Sequence, residues 1–158
     1  MLTMDDKRKE IKKILSEELE KLKGRIIENH IRAGQRASGR TIKSMHVSVD
    51  DNHAILFGRK AFSVLETGRR PGKVPKGFYH IILQWVEDKK IKVKKPKSFA
   101  YLVARKIARE GTELYRYGST EDIYSSNVEK AIMEIMNRTF GIFMNDITHI
   151  NLHSNEDE

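Results

Sequence analysis

The sequence contains no cysteine among its 158 residues, which removes disulfide frameworks, thiolate metal sites and cysteine catalysis from consideration. No apolar run approaches the roughly 18 residues of a membrane span, and the N-terminus lacks the apolar stretch of a signal peptide. Aromatic residues make up only 8 % of the chain, and none falls between Lys89 and Lys97. The nucleophile elbow Gly-x-Ser-x-Gly, the zinc-protease pattern His-Glu-x-x-His and the dinucleotide fingerprint Gly-x-Gly-x-x-Gly are all missing. These absences predict a soluble protein of a reducing compartment, or of a particle assembled there. No membrane partner, cofactor or metal is expected.

What is present predicts one α+β domain over residues 1–148, followed by a tail over residues 149–158. A chain of this size buries roughly 70 % of the surface its unfolded form exposes, enough to fold without staples. Apolar residues account for 39 % and charged residues for 33 %, wetter than an average domain but not disordered.

The positive charge is concentrated. Residues 69–97 hold ten Lys and Arg against Glu87 and Asp88 alone, so this stretch accounts for the whole net charge of +8. Lys89, Lys90, Lys92, Lys94, Lys95 and Lys97 are candidates to face DNA or an acidic partner surface. Nucleic-acid binders usually interleave aromatics among such lysines, and none is here. The alternation of Ile91 and Val93 with lysines instead suggests a solvated loop or a short Lys-protected edge strand.

Residues 5–31 read as a long amphipathic helix, with Ile11, Ile14, Leu15, Leu22, Ile26 and His30 at steps of mostly three and four. Such a helix covers the protein's own sheet or extends as an arm onto a neighbour. Met45, Val47 and Val49 alternate with polar residues, and a turn at residues 50–52 leads to a second apolar run, so residues 45–57 form a hairpin. One or two helical turns over residues 61–67 stop at Gly68. Pro71, Gly72, Pro75 and Gly77 then impose a rigid loop. A short helix follows with Trp85 as its buried anchor. Pro96 precedes a further helix whose Phe99, Leu102, Val103 and Ile107 face inward and which ends at Gly111. Ser126 and Glu129 are spaced as a capping box for a last helix with Val128, Ile132, Ile135, Met136 and Phe143 along one stripe. Ile150 and Leu152 could add a third strand, and residues 154–158 read as a disordered acidic tail. The expected architecture is thus a small antiparallel sheet packed by a long N-terminal helix and three further helices.

Candidate chemistry is thin. Gly68-Arg69-Arg70-Pro71-Gly72-Lys73 has the look of a phosphate loop, but three residues separate its glycines where four are needed. Val74 also stands where a Ser or Thr would reach magnesium. His149 and His153 are four apart, with Asp146 nearby, but the segment reads as strand or fraying end, where that spacing does not converge on a metal. Glu66, Glu110 and Glu113 are isolated acids without a partner pattern. Catalysis is not expected, and a hydrolase or nuclease would have to declare itself by metal-dependent activity.

The order of features is more informative than any one motif. Ser38-Gly39-Arg40-Thr41-Ile42-Lys43-Ser44 precedes the strand pair, and Glu66-Thr67-Gly68 leads into the Pro/Gly-rich loop. After the tryptophan helix come Tyr101-Leu102-Val103-Ala104-Arg105-Lys106-Ile107-Ala108-Arg109-Glu110-Gly111-Thr112. This order resembles the small head–tail joining and tail-completion proteins of tailed bacteriophages, over roughly residues 5–140. The resemblance implies a non-enzymatic structural protein of the virion, assembled in the host cytoplasm. It would oligomerise as a ring in the neck, as connector, tail-completion or terminator protein, and dock on portal, adaptor or tail neighbours. Glu66, Gly68, Arg69, Arg70, Pro71 and Lys73 would form the docking loop, since a proline-set loop presents its arginines to carboxylates at little entropic cost. Residues 89–97 would face packaged DNA or an acidic neighbour. The alternative is a sequence-nonspecific nucleic-acid-binding protein that uses residues 69–97.

Overall fold

Helix formation begins at Thr3. Its hydroxyl accepts from the Asp6 backbone N–H at 3.1 Å, while the Asp6 carboxylate accepts from the Thr3 N–H at 3.3 Å and from its hydroxyl at 2.5 Å. This reciprocal cap opens α1 (Met4–Arg32), and its hydrogen bonds hold the Asp6 carboxyl below the usual carboxylate range. Along α1, Ile14, Glu18, Leu22, Ile26 and His30 recur every four residues and are all buried, as the periodicity predicts for every member but Glu18.

The computed structural model describes residues 2–51, 53–118 and 122–148. The fold is α+β, with a two-stranded antiparallel sheet among predominantly helical structure. Strand β1 (His46–Val49) pairs with β2 (Ala54–Phe57), placing His46 opposite Phe57 and Val49 opposite Ala54. Val47, Val49, Ala54 and Leu56 are half-buried, whereas His46, Ser48, Ile55 and Phe57 are exposed. This is the one-faced hairpin the alternation predicts. Short helices α2 (Arg40–Lys43) and α3 (Val64–Thr67) precede the longer α4 (Phe78–Asp88) and α5 (Pro96–Glu110), and short α6 (Glu113–Tyr117) separates α5 from the long α7 (Ser125–Thr148). A 3-10 turn, Lys60–Ser63, runs into α3. Among the described residues no helix is long and apolar enough to cross a membrane.

The chain gathers into two compact units, and the boundary falls within α1 between Arg25 and Ile26. One unit holds the first part of α1, the hairpin and α7. In it Arg138 of α7 donates to Glu18 at 2.7 Å and to Glu17 at 2.6 Å, and Lys21 donates to Glu18 at 2.8 Å. Glu18 is only 2 % exposed, so these cations compensate a charge taken out of water. The Lys21 and Arg138 hydrogen bonds keep the Glu18 carboxyl below its ordinary range, and Arg138 does the same for Glu17.

The other unit holds residues 26–45 and 58–124. Its centre is the α4–α5 pair, where Ile82 packs with Ala100 and Ala104, flanked by Phe78, Tyr79, Leu83, Val103 and Ile107. Pro96 occupies the first turn of α5, where its missing N–H costs nothing. The end of α1 is tied in by Asn29, whose amide donates to the Asp122 carbonyl at 2.9 Å, and Gln35, which donates to the Leu65 carbonyl at 2.6 Å.

Several expectations are corrected. Trp85 is 38 % exposed; Ile82 and Val86 are the buried residues of α4. Leu102 is exposed as well, because the inner face of α5 is turned toward Ala100 and Ala104, whose small side chains allow close approach to α4. Among the described residues of α7, Asn127, Ala131 and Ile142 are buried, while Ile132, Met136 and Phe143 face out. That helix starts at Ser125, one residue before Ser126. Residues 89–95 form no strand. They leave α4 through a Schellman turn, in which Lys90 N–H donates to Glu87 O at 2.9 Å and Ile91 N–H to Val86 O at 3.0 Å. Lys90 takes the left-handed position of that turn, with φ 53°. Ile91 and Val93 are half-buried and Lys92 and Lys94 exposed, so the alternation foretold burial but not pairing. The third strand proposed at Ile150 and Leu152, the His149/His153 pair and the acidic tail lie outside the described residues.

Candidate docking surface

The loop between α3 and α4 is set by two glycines far apart in sequence. Gly68 and Gly111 follow α3 and α5, with φ 72° and 81° and ψ 179° at both, a backbone region that side chains essentially exclude. A Cβ on Gly68 would lie 2.4 Å from the Tyr115 nitrogen and 2.6 Å from Thr112 Oγ1. One on Gly111 would lie 2.7 Å from the Arg69 carbonyl oxygen. Both glycines are therefore needed for two segments to touch.

The contact is stitched in both directions. Arg69 N–H donates to Thr112 Oγ1 at 2.9 Å, and Thr112 N–H donates to the Arg69 carbonyl at 2.9 Å. The same Thr112 hydroxyl caps α6 by accepting from Tyr115 N–H at 3.4 Å. Gly72 N–H donates to the Ala108 carbonyl at 2.8 Å. Beside this knot, Glu110 bonds Arg109 and receives Arg116 at 3.3 Å; the Arg109 hydrogen bond chiefly holds its carboxyl below the ordinary range.

The sequence-predicted docking residues divide on this frame. Gly68 is buried and structural, and Glu66 is half-buried. Arg69 turns back on its own chain, donating to the Lys73 carbonyl at 2.9 Å and stacking over Phe78 with its guanidinium 5.3 Å from the ring centre. A weakly hydrated planar cation gains from such a ring. Arg70, Pro71 and Lys73 are exposed, and Arg70 makes no ion pair among the described residues. Arg70 and Lys73, with Lys76 further along, are therefore the charges the loop presents outward. Gly111, Thr112 and Tyr115 belong to the site; the sequence marks Gly111 as a helix stop and Thr112 by the N-cap signature of a Thr before Glu113, but not their contact with the loop.

The lysine segment is held differently. Lys89 is occupied, its ammonium bonded to the Gly34 carbonyl. Lys90, Lys92, Lys94, Lys95 and Lys97 are exposed, and none has an acidic partner among the described residues. Lys97 lines a shallow concavity of about 430 Å³ together with Tyr79, Ser98, Tyr101 and Leu102. The aromatics absent from the segment in sequence are thus brought beside its end by the α4–α5 packing. A second concavity, about 440 Å³, lies between α1 and β1 and is lined by Lys12, Lys13, Glu17, Glu20 and Val47 among others. Among the described residues no group of three or more His, Asp or Glu is placed to hold a metal ion.

Fold and surface together define a mostly helical α+β protein that displays a pinned cationic loop and a separate lysine-rich segment. Comparison of the chain with protein-family models, with curated proteins and with solved structures finds no match.

Proposed function

We propose that this chain is a non-enzymatic structural protein of a tailed-phage virion, part of the head–tail connector or of the tail-completion or terminator ring. It oligomerises and docks on neighbouring ring proteins through residues 66–76. The observation that carries the reading is the Gly68–Thr112 knot, which fixes that loop while leaving Arg70 and Lys73 at the surface. A loop whose shape is settled before association loses little entropy on docking. The order of motifs shared with phage neck proteins supplies the class of partner.

The test is a paired substitution, Arg70→Ala with Lys73→Ala. Neither side chain is buried, so the melting temperature stays near wild type while ring formation and incorporation into particles fall. Undiminished assembly by this variant would sink the loop's role. A wild-type chain that forms no ring and enters no particle would sink the class.

A second reading has its own observation: five exposed, unpaired lysines end beside Tyr79 and Tyr101. A sequence-nonspecific nucleic-acid binder combines backbone neutralisation with aromatic stacking. Micromolar DNA binding with a steep salt slope, lost in Tyr101→Ala with Lys97→Gln, supports it. Salt-independent or absent binding removes it.

A further inference from the structure

The outer face of α7 is apolar, regular and largely exposed among the described residues. Met133, Met136, Phe140, Phe143 and Ile147 follow one another at steps of three, four, three and four. That is the spacing of a seam between two helices lying side by side. All five, with Ile132 beside them, are between 43 and 64 % exposed. The opposite face is already used, since Ala131 and Ile142 are buried and Arg138 holds Glu17 and Glu18. The helix thus has one face committed to its own unit and a second that is largely exposed among the described residues, with Lys7 reaching only its edge, 5.8 Å from the centre of the Phe143 ring.

We infer that α7 pairs with α7 of a second copy of this chain along the Met133–Ile147 seam. Three features select a second copy over an unrelated partner. First, the six side chains expose roughly 700 Å² per copy, close to the ~800 Å² each partner contributes to a standard interface. That is also more than a monomeric protein usually leaves as one apolar patch. Second, of the residues flanking the seam (Ile132, Asn137, Thr139, Met144 and Asp146) only Asp146 carries a charge. One acid near the end of the seam makes no pattern that would recruit an oppositely charged helix, and the rest of the flank does not repel its own copy. The excess charge that would repel a second copy sits in residues 69–97, outside α7. Third, an identical helix carries the same row at the same spacing, so one pairing buries both exposed faces at once, as a two-fold interface requires. The seam's methionines adapt to an imperfect register, and the two phenylalanines supply its largest contact areas.

The inference rests on α7 alone and not on the virion reading. Analytical ultracentrifugation of the wild-type chain is expected to show a dimer, or an oligomer built of dimers. Met136→Glu with Phe140→Glu should weaken the pairing by about 100-fold or more, with the helical circular dichroism unchanged because both side chains are exposed in the single chain. The absence of cysteine gives a second readout that does not depend on that variant folding. Phe140→Cys with Phe143→Cys should cross-link two chains under mild oxidation in either helix orientation, whereas Glu134→Cys, off the seam, should not. A wild type that remains monomeric up to about 100 μM overturns the proposal. So does cross-linking at Phe140 and Phe143 no stronger than at Glu134. Rings that form undiminished in the glutamate variant overturn it too while leaving the virion reading standing. A wild type that pairs through α7 yet builds no ring does the reverse.

Discussion

Residues 69–76 and 89–97 carry charge of one sign in the same half of the molecule, yet they are held by different physics. The first segment is bound to the α5–α6 junction by backbone and threonine hydrogen bonds and by two glycines in a conformation other residues avoid. The second is fixed at its ends, by a Schellman turn at Lys90 and by Pro96 opening α5, with Ile91 and Val93 half-buried between them. Counting lysines and arginines treats the two alike. The structure assigns Arg69 to the loop's own scaffold and Lys89 to the Gly34 carbonyl, leaving Arg70, Lys73 and the remaining lysines outward. Charge available to a partner is the total less what the fold has already used.

The difference is broken most directly at Gly68. Gly68→Ala should cost about 3–5 kcal/mol, combining a forbidden backbone region with a clash against Thr112 and Tyr115. Chemical denaturation measures it, and a loss below about 1 kcal/mol would show that the knot is loose. Thr112→Val removes one acceptor from two N–H donors at unchanged shape and should cost about 1–3 kcal/mol by the same measurement. In the lysine segment the sign reverses. Lys90→Gly should stabilise by about 1 kcal/mol, since glycine adopts the left-handed turn position without strain. If it destabilises instead, the Lys90 side chain holds more than the turn suggests.

The smallest effect separates the segments by pH. The Glu110 carboxyl, beside the knot, is held below its ordinary range by Arg109 first. Its contribution is therefore fully present above the unfolded value of about 4.3 and is lost as pH falls through the lower folded value. Glu110→Gln should lie slightly below wild type in stability at pH 6, and the gap should close as pH falls through the lowered folded value. The triple change Lys92→Gln, Lys94→Gln and Lys95→Gln should show no such convergence, because no carboxylate is paired with these lysines among the described residues.

Much of the fold was legible because periodicity is local. The α1 face, the one-sided hairpin and the stops at Gly68 and Gly111 all follow from residue spacing and backbone preference. The phase of the later helices was not legible. In α4, α5 and α7 the large apolar residues Trp85, Leu102 and Phe140 point outward, while Ala100, Ala104 and Ala131 are buried. Ranking residues by size and apolarity picks the wrong side wherever helices approach closely or an apolar face awaits a partner.

Sequence by itself determined that helices, hairpin and rigid loop exist, and where the charge is concentrated. The fold alone brought Arg69 to Thr112, 43 residues away, and turned one arginine inward while leaving its neighbour at the surface. The tertiary structure also chose which of two apolar faces of α7 to bury. The reason is range. Capping, turn preference and periodicity act over a few residues, and the chain encodes them in place. A hydrogen bond between distant segments exists only once packing has placed both ends, so no local pattern announces it.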